Sequence, residues 1–215
     1  VFTRNDGGIR RVVVAGHDGR GVLYGAGRLL RELRMSRDAI SLPSDFKAAS
    51  APYHPLRGHQ LGYRPKTNSY DGWDLVTWEQ YLRDLIVFGA NAVELIPPRS
   101  DDDADSPHFP QPPQKMMVEM SRLLDKYGMD VWVWYPALEK DYSQPAQITK
   151  AVREWTSVLR QLPRLDAILV PGGDPGHTPP AILMNLLAKE SAAIRQIHPK
   201  VQFWVSPQGF STSWL

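Results

Sequence analysis

Four short apolar segments, each running into a proline, recur along the second part of the chain. They occupy residues 92–97, 131–136, 167–171 and 202–207, and their prolines are spaced by 39, 35 and 36 residues. Nearly continuous apolar runs of this length predict strands that are buried on both faces, as in a parallel sheet. A proline at the end fits a chain that is leaving the sheet, because its missing N–H costs no ladder bond there.

Amphipathic stretches separate these segments and repeat apolar residues at helical spacing. The pattern predicts helices that stop at Gly89, Gly128, Pro163 and Pro199, and glycine or proline just past the end is the expected stop signal. A further strand over residues 56–63 brings the count to five strands and four helices. Strand–helix alternation of this kind predicts parallel βα units.

The fold class predicted from this alternation is α/β, with a partial (β/α)8 TIM barrel over residues 51–215. A doubly wound sheet usually carries a glycine-rich phosphate turn after its first strand, and the sequence has neither GxGxxG nor GxxxxGK[ST]. Eight units of about 37 residues would need about 300 residues, in line with the usual size of such barrels. We therefore expect the N-terminal half of a barrel in a truncated chain, and we expect this chain alone to be inactive.

Residues 1–50 predict the C-terminal part of a separate small α/β domain. Residues 11–16 read as a short buried strand that ends in glycine. A helix with one apolar stripe opens at Gly19-Arg20-Gly21, and a short strand is expected around residues 40–43. The proline-containing stretch that follows, residues 44–55, is predicted to be a linker.

Composition excludes several classes of protein. The hydrophobic fraction of 42% and the charged fraction of 22% are those of a soluble globular protein. The absence of cysteine excludes a disulfide framework, thiolate zinc sites and a cysteine nucleophile. No apolar run approaches the roughly 18 residues of a membrane span. Net charge is +2 with basic residues scattered along the sequence, so we expect neither a nucleic-acid nor a membrane partner.

The chain starts at Val1 without an initiator methionine, and no signal peptide survives to be read. We expect a piece of a longer protein, with an extracytoplasmic location favoured.

Catalytic groups in such barrels lie at the C-terminal ends of the strands and in the loops that follow. Here those segments are rich in aromatic, carboxylate and amide side chains, which suits carbohydrate, because rings stack on sugar C–H surfaces while polar groups bind hydroxyls. The candidate catalytic residues are Asp174, Glu94 and Glu139, with Asp141 as a further carboxylate. The candidate substrate-binding residues are Arg57, His59, Gln60, Arg64, Tyr135, His177 and Gln208.

Each carboxylate also has a structural interpretation. Glu94 lies inside an apolar strand, where a carboxylate is costly unless it is paired or functional, and Arg57 or Arg64 could pair with it. Asp174 could cap the next helix. The acidic run at 101–105 is more typical of a solvated loop than of a calcium or substrate site.

Other aromatic and histidine residues have structural interpretations as well. Trp132 and Trp134 share one strand face and are expected to pack internally, and Trp204 is expected in the core. A metal-dependent barrel using His59, His108 and His177 is a weaker alternative, since no HxH or HExxH spacing supports it. We expect no metal site and no cofactor.

Three segments resemble the family 20 glycoside hydrolases and their relatives among the α-glucuronidases and O-GlcNAc hydrolases. They are Gly16-His17-Asp18-Gly19-Arg20-Gly21-Val22-Leu23-Tyr24-Gly25-Ala26, then Arg57-Gly58, then Gly172-Gly173-Asp174. The resemblance implies a small α/β domain before a catalytic barrel, an Arg57 that binds sugar hydroxyls, and an Asp174 that orients the substrate acetamide. The sequence departs from that family at Pro175, which stands where the general acid is a glutamate.

The sequence therefore predicts a fragment of a glycoside hydrolase that cleaves glycosidic bonds with acidic residues at the strand ends. Its expected partner is an oligosaccharide or glycoside substrate. The alternative is a non-catalytic carbohydrate-binding barrel that has lost its general acid, in agreement with Pro175.

Overall fold

The computed structural model describes residues 1–62, 72–95, 98–99, 107–139 and 141–214. The chain divides into two compact units, which we call unit 1 (Val1–Gly58 with Glu79–Asn91) and unit 2 (His59–Trp78 with Ala92–Leu215). This division does not coincide with the predicted boundary after residue 50, and the assignment of residues 1–50 to a small α/β domain stays a prediction.

The described elements follow one another in a simple order. They are β1 (Phe2–Asp6), β2 (Ile9–Val13), α1 (Gly19–Glu32), β3 (Arg34–Met35), β4 (Ile40–Ser41), β5 (Gly58–Gln60), α2 (Leu75–Val87), β6 (Ala92–Leu95), α3 (Pro113–Lys126), β7 (Asp130–Trp134), α4 (Pro145–Leu159), β8 (Ala167–Val170), α5 (Pro180–Ile194), β9 (Gln202–Val205) and a 3-10 turn, Thr212–Trp214. Among the described residues, no helix is long and apolar enough to cross a membrane.

Unit 1 begins with an antiparallel hairpin, in which Phe2 of β1 faces Val13 of β2. Gly7 and Gly8 form its turn with φ of 60° and 83°, a conformation that glycine adopts without steric cost. The prediction of a buried strand at 11–16 is wrong in both bounds and burial, because β2 ends at Val13 and is largely exposed. Both strands of the hairpin are largely exposed, so the apolar residues of β2 up to Val12 are not covered.

Helix α1 follows the predicted apolar stripe. Its N-cap is Asp18, whose Oδ1 accepts a hydrogen bond from Gly21 N at 2.7 Å. This bond satisfies one of the backbone donors that every helix leaves free in its first turn. The strand expected near 40–43 is β4, which pairs antiparallel with β3.

The core of unit 2 is a five-stranded parallel sheet in the order β5-β6-β7-β8-β9, with helices in the connections between strands. The fold class is therefore α/β, and the sheet and helices form a partial (β/α) barrel-like arrangement, as the sequence predicts. The strands β7, β8 and β9 end one or two residues before Pro136, Pro171 and Pro207. Proline thus marks the departure from the sheet.

Helices α3, α4 and α5 each begin at a proline, at positions 113, 145 and 180. Proline is favoured at the first helical position because its missing N–H would have no intrahelical partner there. The last two helices end earlier than predicted, since Leu162 and Ile197 lie beyond Leu159 and Ile194. The stop signals bounded these helices only to within a few residues.

The two faces of the sheet differ in burial. Val131 and Val133 of β7 are fully buried, and α3 packs against β6 and β7. The opposite face carries Glu94, Trp132, Trp134 and Trp204, and we call it the tryptophan face. Strand register places Glu94 beside Trp132. The next row on this face, two residues nearer the C-terminal ends of the strands, consists of Trp134, Leu169 and Trp204.

The expectation that Trp204 lies in the core is wrong. Its side chain is 45% exposed, and its ring stacks on that of Trp132 with centroids 6.3 Å apart. The reason is its position on β9, which is the last strand of the sheet among the described residues and has no neighbour on its outer side.

The opposite end of the sheet is fixed by ion pairs. Arg164 donates to Asp166 Oδ2 and to Asp130 Oδ1, both at 2.7 Å, and Asp166 Oδ2 also accepts from Val131 N at 2.8 Å. These contacts join the start of β7 to the segment that precedes β8. The ion pairs therefore lie at the N-terminal ends of the strands, opposite the C-terminal ends where chemistry is expected.

Candidate active site

Two loops meet at the C-terminal ends of β8 and β9 and hold Asp174. Gly173 N donates to Gln208 O at 2.9 Å, and Asp174 N donates to Pro171 O at 3.2 Å. A Cβ on Gly172 would lie 2.3 Å from Gln208 O, so this close approach requires glycine. The glycine pair before Asp174 is therefore what lets the two loops pack together.

The Asp174 carboxylate is held by a side-chain amide. Gln208 Nε2 donates to Asp174 Oδ2 at 3.1 Å, which brings together two of the predicted site residues. The alternative that Asp174 caps the next helix is wrong, because the N-cap of α5 is Pro179 and makes no side-chain cap bond. Asp174 remains partly accessible, as a group that meets a ligand must be.

A second carboxylate–amide pair lies on the tryptophan face. Gln60 Nε2 of β5 donates to Glu94 Oε1 of β6 at 2.6 Å, and Glu94 is only 6% exposed. Burial raises the pKa of Glu94 above its ordinary value, and the Gln60 bond only partly opposes this rise. Among the described residues, Glu94 therefore bonds to the neutral amide of Gln60 and not to the predicted cation Arg57. The other predicted cation, Arg64, lies outside the described residues.

Glu139 lies in the loop after β7 and contacts two cations. Its Oε1 accepts from Lys150 Nζ at 3.1 Å and from Arg99 Nη2 at 3.3 Å. The hydrogen bonds from Lys150 and then from Arg99 hold the pKa of Glu139 below its ordinary value. Glu139 is therefore suited to remain ionised rather than to donate a proton.

Arg99 extends this cluster to helix α4. Its Nη1 donates to both carboxylate oxygens of Glu154 at 2.7 Å, and Tyr135 Oη lies 3.4 Å from Glu154 Oε1. The sequence reasoning missed Arg99 and Glu154. The loop position of Arg99 could have suggested it, but nothing in the sequence distinguishes Glu154 from any other polar residue of an amphipathic helix.

Tyr135 points away from the tryptophan face. It is 1% exposed, and its ring lies 4.2 Å from that of Trp155 on α4. Alternation along the strand gives the same direction, because Trp132 and Trp134 occupy the other face. The structure therefore does not bring Tyr135 together with Glu94 or Asp174.

Arg57 lies in unit 1, where it binds main-chain oxygens. Its Nε donates to Gly89 O at 2.7 Å, its Nη1 donates to His54 O at 2.8 Å, and its guanidinium lies 5.4 Å from the centre of the Tyr24 ring. These contacts agree with the structural interpretation of Arg57. Its binding of sugar hydroxyls, which the family resemblance implies, stays a prediction.

The remaining candidates are dispersed. His59 is half-buried on β5, next to Gln60, and His177 is exposed in the loop after β8 with φ 53°. Arg64 and the acidic run at 101–105 lie outside the described residues. Within the described ranges, no group of three or more His, Asp or Glu side chains is arranged to hold a metal ion.

Comparison with solved structures finds the same fold in CpGH84B, a family 84 glycoside hydrolase. The TM-score is 0.57 at 14% identity, and the match covers 95% of this chain and 35% of that chain. No protein-family model and no curated protein matches the sequence. The chain therefore spans about a third of CpGH84B and shares a fold that a glycoside hydrolase also has, while the resemblance to family 20 in particular stays a prediction.

Proposed function

We propose that this chain is part of a carbohydrate-active enzyme that hydrolyses glycosidic bonds at the C-terminal ends of β6, β8 and β9. The observation that carries the proposal is the pair of carboxylates with different environments. Glu94 is buried beside Trp132 and bonded to an amide, whereas Asp174 is partly accessible in a loop and bonded to Gln208. Two acids in unlike surroundings are what glycoside hydrolysis needs.

The surroundings suggest a role for each acid. A carboxyl whose pKa is raised by burial holds its proton closer to neutral pH and can donate it to the oxygen of the leaving sugar, which is the role proposed for Glu94. Asp174 then acts as the ionised partner, either by attacking the anomeric carbon, by activating water, or by orienting the substrate. Gln60 and Gln208 act as positioning residues, since each donates a hydrogen bond to one of the acids.

The test is hydrolysis of 4-nitrophenyl glycosides by the full-length protein and its variants. Asp174→Asn is expected to lower kcat/KM for these substrates by about 10²–10⁴-fold, the usual contribution of such groups. Glu94→Gln is expected to do the same for the corresponding methyl glycosides, because an alkoxide leaving group needs the proton that 4-nitrophenolate does not need. Because the pKa of Glu94 is raised, activity should fall on the alkaline side of the profile as this acid loses its proton. Asp125→Asn, at an exposed carboxylate of α3 that is not among the candidate site residues, serves as the matched control.

Unchanged hydrolysis in both variants would overturn the assignment. A loss in Glu94→Gln with the alkaline limb still in place would show that another group is the acid. The substrate class within the glycosides, including the acetamide-bearing sugars that the family 20 resemblance implies, is set by which nitrophenyl glycoside is cleaved.

A non-catalytic sugar-binding barrel is the second candidate. It is favoured by Pro175, which stands directly after Asp174, and by the half-exposed Trp204 ring stacked on Trp132. An exposed aromatic pair can bind a sugar face without any acid. Calorimetry that shows binding of chito- or xylo-oligosaccharides with no turnover of any glycoside would favour this candidate over the hydrolase.

A further inference from the structure

The two units carry charge of opposite sign. The residues of unit 1 include eleven Lys and Arg against seven Asp and Glu, a net of +4, whereas those of unit 2 include fourteen against sixteen, a net of −2. The small net charge of the whole chain therefore conceals a basic unit. Charge asymmetry of this kind points to an acidic ligand for the basic part.

Unit 1 contains a groove of about 820 Å³ that is lined by five of its eleven Lys and Arg residues. The lining includes Arg20, Arg28, Arg31, Lys47 and Arg57, and its one acidic residue among those described is Asp18. Asp18 is committed to capping α1 through Gly21 N. Glu32, outside the lining, pairs with Arg28 at 2.7 Å.

Aromatic rings lie beside these cations. Phe88 lines the groove, is 75% exposed, and has the Arg31 guanidinium 5.8 Å from its ring centre. Tyr24 also lines the groove, and its hydroxyl donates to Ala90 O at 3.1 Å, which fixes the ring. A ring face next to a guanidinium can contact a sugar ring and an attached anion at the same time.

The groove wall is held by a close backbone crossing. A Cβ on Gly16 would lie 2.2 Å from the carbonyl carbon of Gly21, and one on Gly25 would lie 2.6 Å from Cγ1 of Val14. Gly16 therefore requires glycine, because the clash is with backbone, and a side chain at Gly25 would displace Val14. The tight packing of the 16–21 loop on α1 means that the wall is formed before any ligand arrives, which lowers the cost of binding.

We propose that this groove binds the anionic group of an acidic saccharide, a carboxylate or a sulfate ester, through its cluster of arginine and lysine side chains. The anion preference follows from the groove itself, and the saccharide class rests on the proposed function. The site is distinct from the carboxylate pairs of unit 2. It would let the protein hold an acidic part of a glycan independently of cleavage.

Binding is tested on the full-length protein by calorimetry with glucuronic acid, glucose 6-sulfate and glucose. We expect at least one of the two acidic sugars to bind and glucose to bind at least about tenfold more weakly, with affinity falling as salt is added. The acidic sugar that binds more tightly identifies the anionic group. Inorganic sulfate is the probe for an anion without the sugar, and it is expected to bind more weakly than the better acidic sugar.

The variants Lys47→Gln and Arg31→Gln each remove one exposed cation from the groove, and each is expected to weaken binding about fivefold to tenfold. Arg37→Gln is the control, because Arg37 is an exposed cation of unit 1 that does not line the groove. Equal loss in all three variants would overturn the groove as the site and leave only general charge.

Equal affinity for glucose would overturn the anion preference, and sulfate binding as tight as that of the better acidic sugar would overturn the saccharide class. The outcome is separable from the proposed function. Asp174→Asn should lower hydrolysis by about 10²–10⁴-fold and leave acidic-sugar binding unchanged. The groove variants should weaken that binding and leave hydrolysis of neutral nitrophenyl glycosides unchanged.

Discussion

The two units of this chain are stabilised in different ways. Nearly all the fully buried apolar side chains among the described residues belong to unit 2, and unit 1 contributes only Leu82 and Ile86. In unit 1, large apolar side chains such as Ile9, Leu30 and Ile40 are about half or more exposed. Burial therefore stabilises the sheet of unit 2, while unit 1 depends more on turns, caps and ion pairs.

The difference also separates the two kinds of chemistry. The parallel sheet of unit 2 can bury a carboxylate such as Glu94 beside an amide and thereby change its pKa. Unit 1, with little interior, keeps its charged groups near water, where they attract a ligand without a change in protonation. The degree of burial therefore distinguishes the proposed catalytic site of unit 2 from the proposed anion-binding groove of unit 1.

Matched leucine-to-alanine substitutions are the most direct test of the difference in burial between the two units. Leu124 in α3 is fully buried and Leu30 in α1 is 48% exposed. Leu124→Ala is expected to lower the free energy of unfolding by about 2–5 kcal/mol, the range for a buried leucine that leaves a cavity. Leu30→Ala is expected to cost less than about 1 kcal/mol, since it removes little buried surface.

Urea unfolding followed by circular dichroism measures both effects, with the midpoint compared at constant slope. Similar losses at the two positions would show that Leu30 is buried in solution. Unit 1 would then have an interior that its exposed side chains do not indicate, and the distinction between the two units would fail.

The parallel sheet could be predicted because its signal is periodic and redundant. The segments at 131–136 and 202–207 and the helices between them each repeat the same apolar pattern, so a small error at one boundary leaves the topology intact. The hairpin of unit 1 had no such support. Its turn depends on the two adjacent residues Gly7 and Gly8. The valines of β2 give the same apolar signal as a buried strand, because apolar residues alone do not show whether other chain segments cover them.

The members of the candidate site were easier to predict than their contacts. The positions of Gln60, Asp174 and Gln208 near strand ends predict them as site residues, and Glu94 is predicted because it is a carboxylate inside an apolar strand. Their arrangement as two carboxylate–amide pairs depends on strand register and on the glycine-dependent packing of two loops, which only the folded chain specifies. Glu154 could not be predicted, because a single charged residue on a helix gives no sign in the sequence of the direction in which it points.

Glu190 is a second test of the difference between the units, because it is an acid in the interior of unit 2 that no proposed step uses. It is fully buried on α5, and neither of its carboxylate oxygens has a hydrogen-bond partner among the described residues. Burial, and then the negative charge of Glu154 on α4, raise the pKa of Glu190 well above its ordinary value of 4.5. Among the described residues, Tyr135 and Tyr142 also interact electrostatically with Glu190.

The folded chain therefore keeps a proton on Glu190 that the unfolded chain releases above its ordinary pKa. Stability should fall as the pH rises from that value toward the raised pKa of the folded state, because the unfolded chain binds fewer protons there. Glu190→Gln, which is neutral at every pH, should remove this dependence and give a higher Tm than the parent chain at pH 8, with a smaller difference at pH 5. Thermal unfolding at pH 8 and pH 5 measures this difference in Tm. An equal Tm shift at both pH values would mean that the Glu190 carboxyl is already ionised in the folded chain.

Substitutions of Asp18 are expected to have the smallest effect, and they test the stability of α1 and the charge of the groove separately. Asp18→Ala removes the side-chain acceptor for Gly21 N at the start of α1, and it is expected to cost about 1 kcal/mol of unfolding free energy. Asp18→Asn keeps an acceptor at the same place and should cost close to nothing. Both variants remove the one acidic residue among the described lining of the groove, so both should bind the acidic sugar more tightly. Urea unfolding and calorimetry on the same two proteins measure the pair of effects. A gain in affinity confined to the alanine variant would mean that loosening of the helix end, and not the charge of the groove, controls binding.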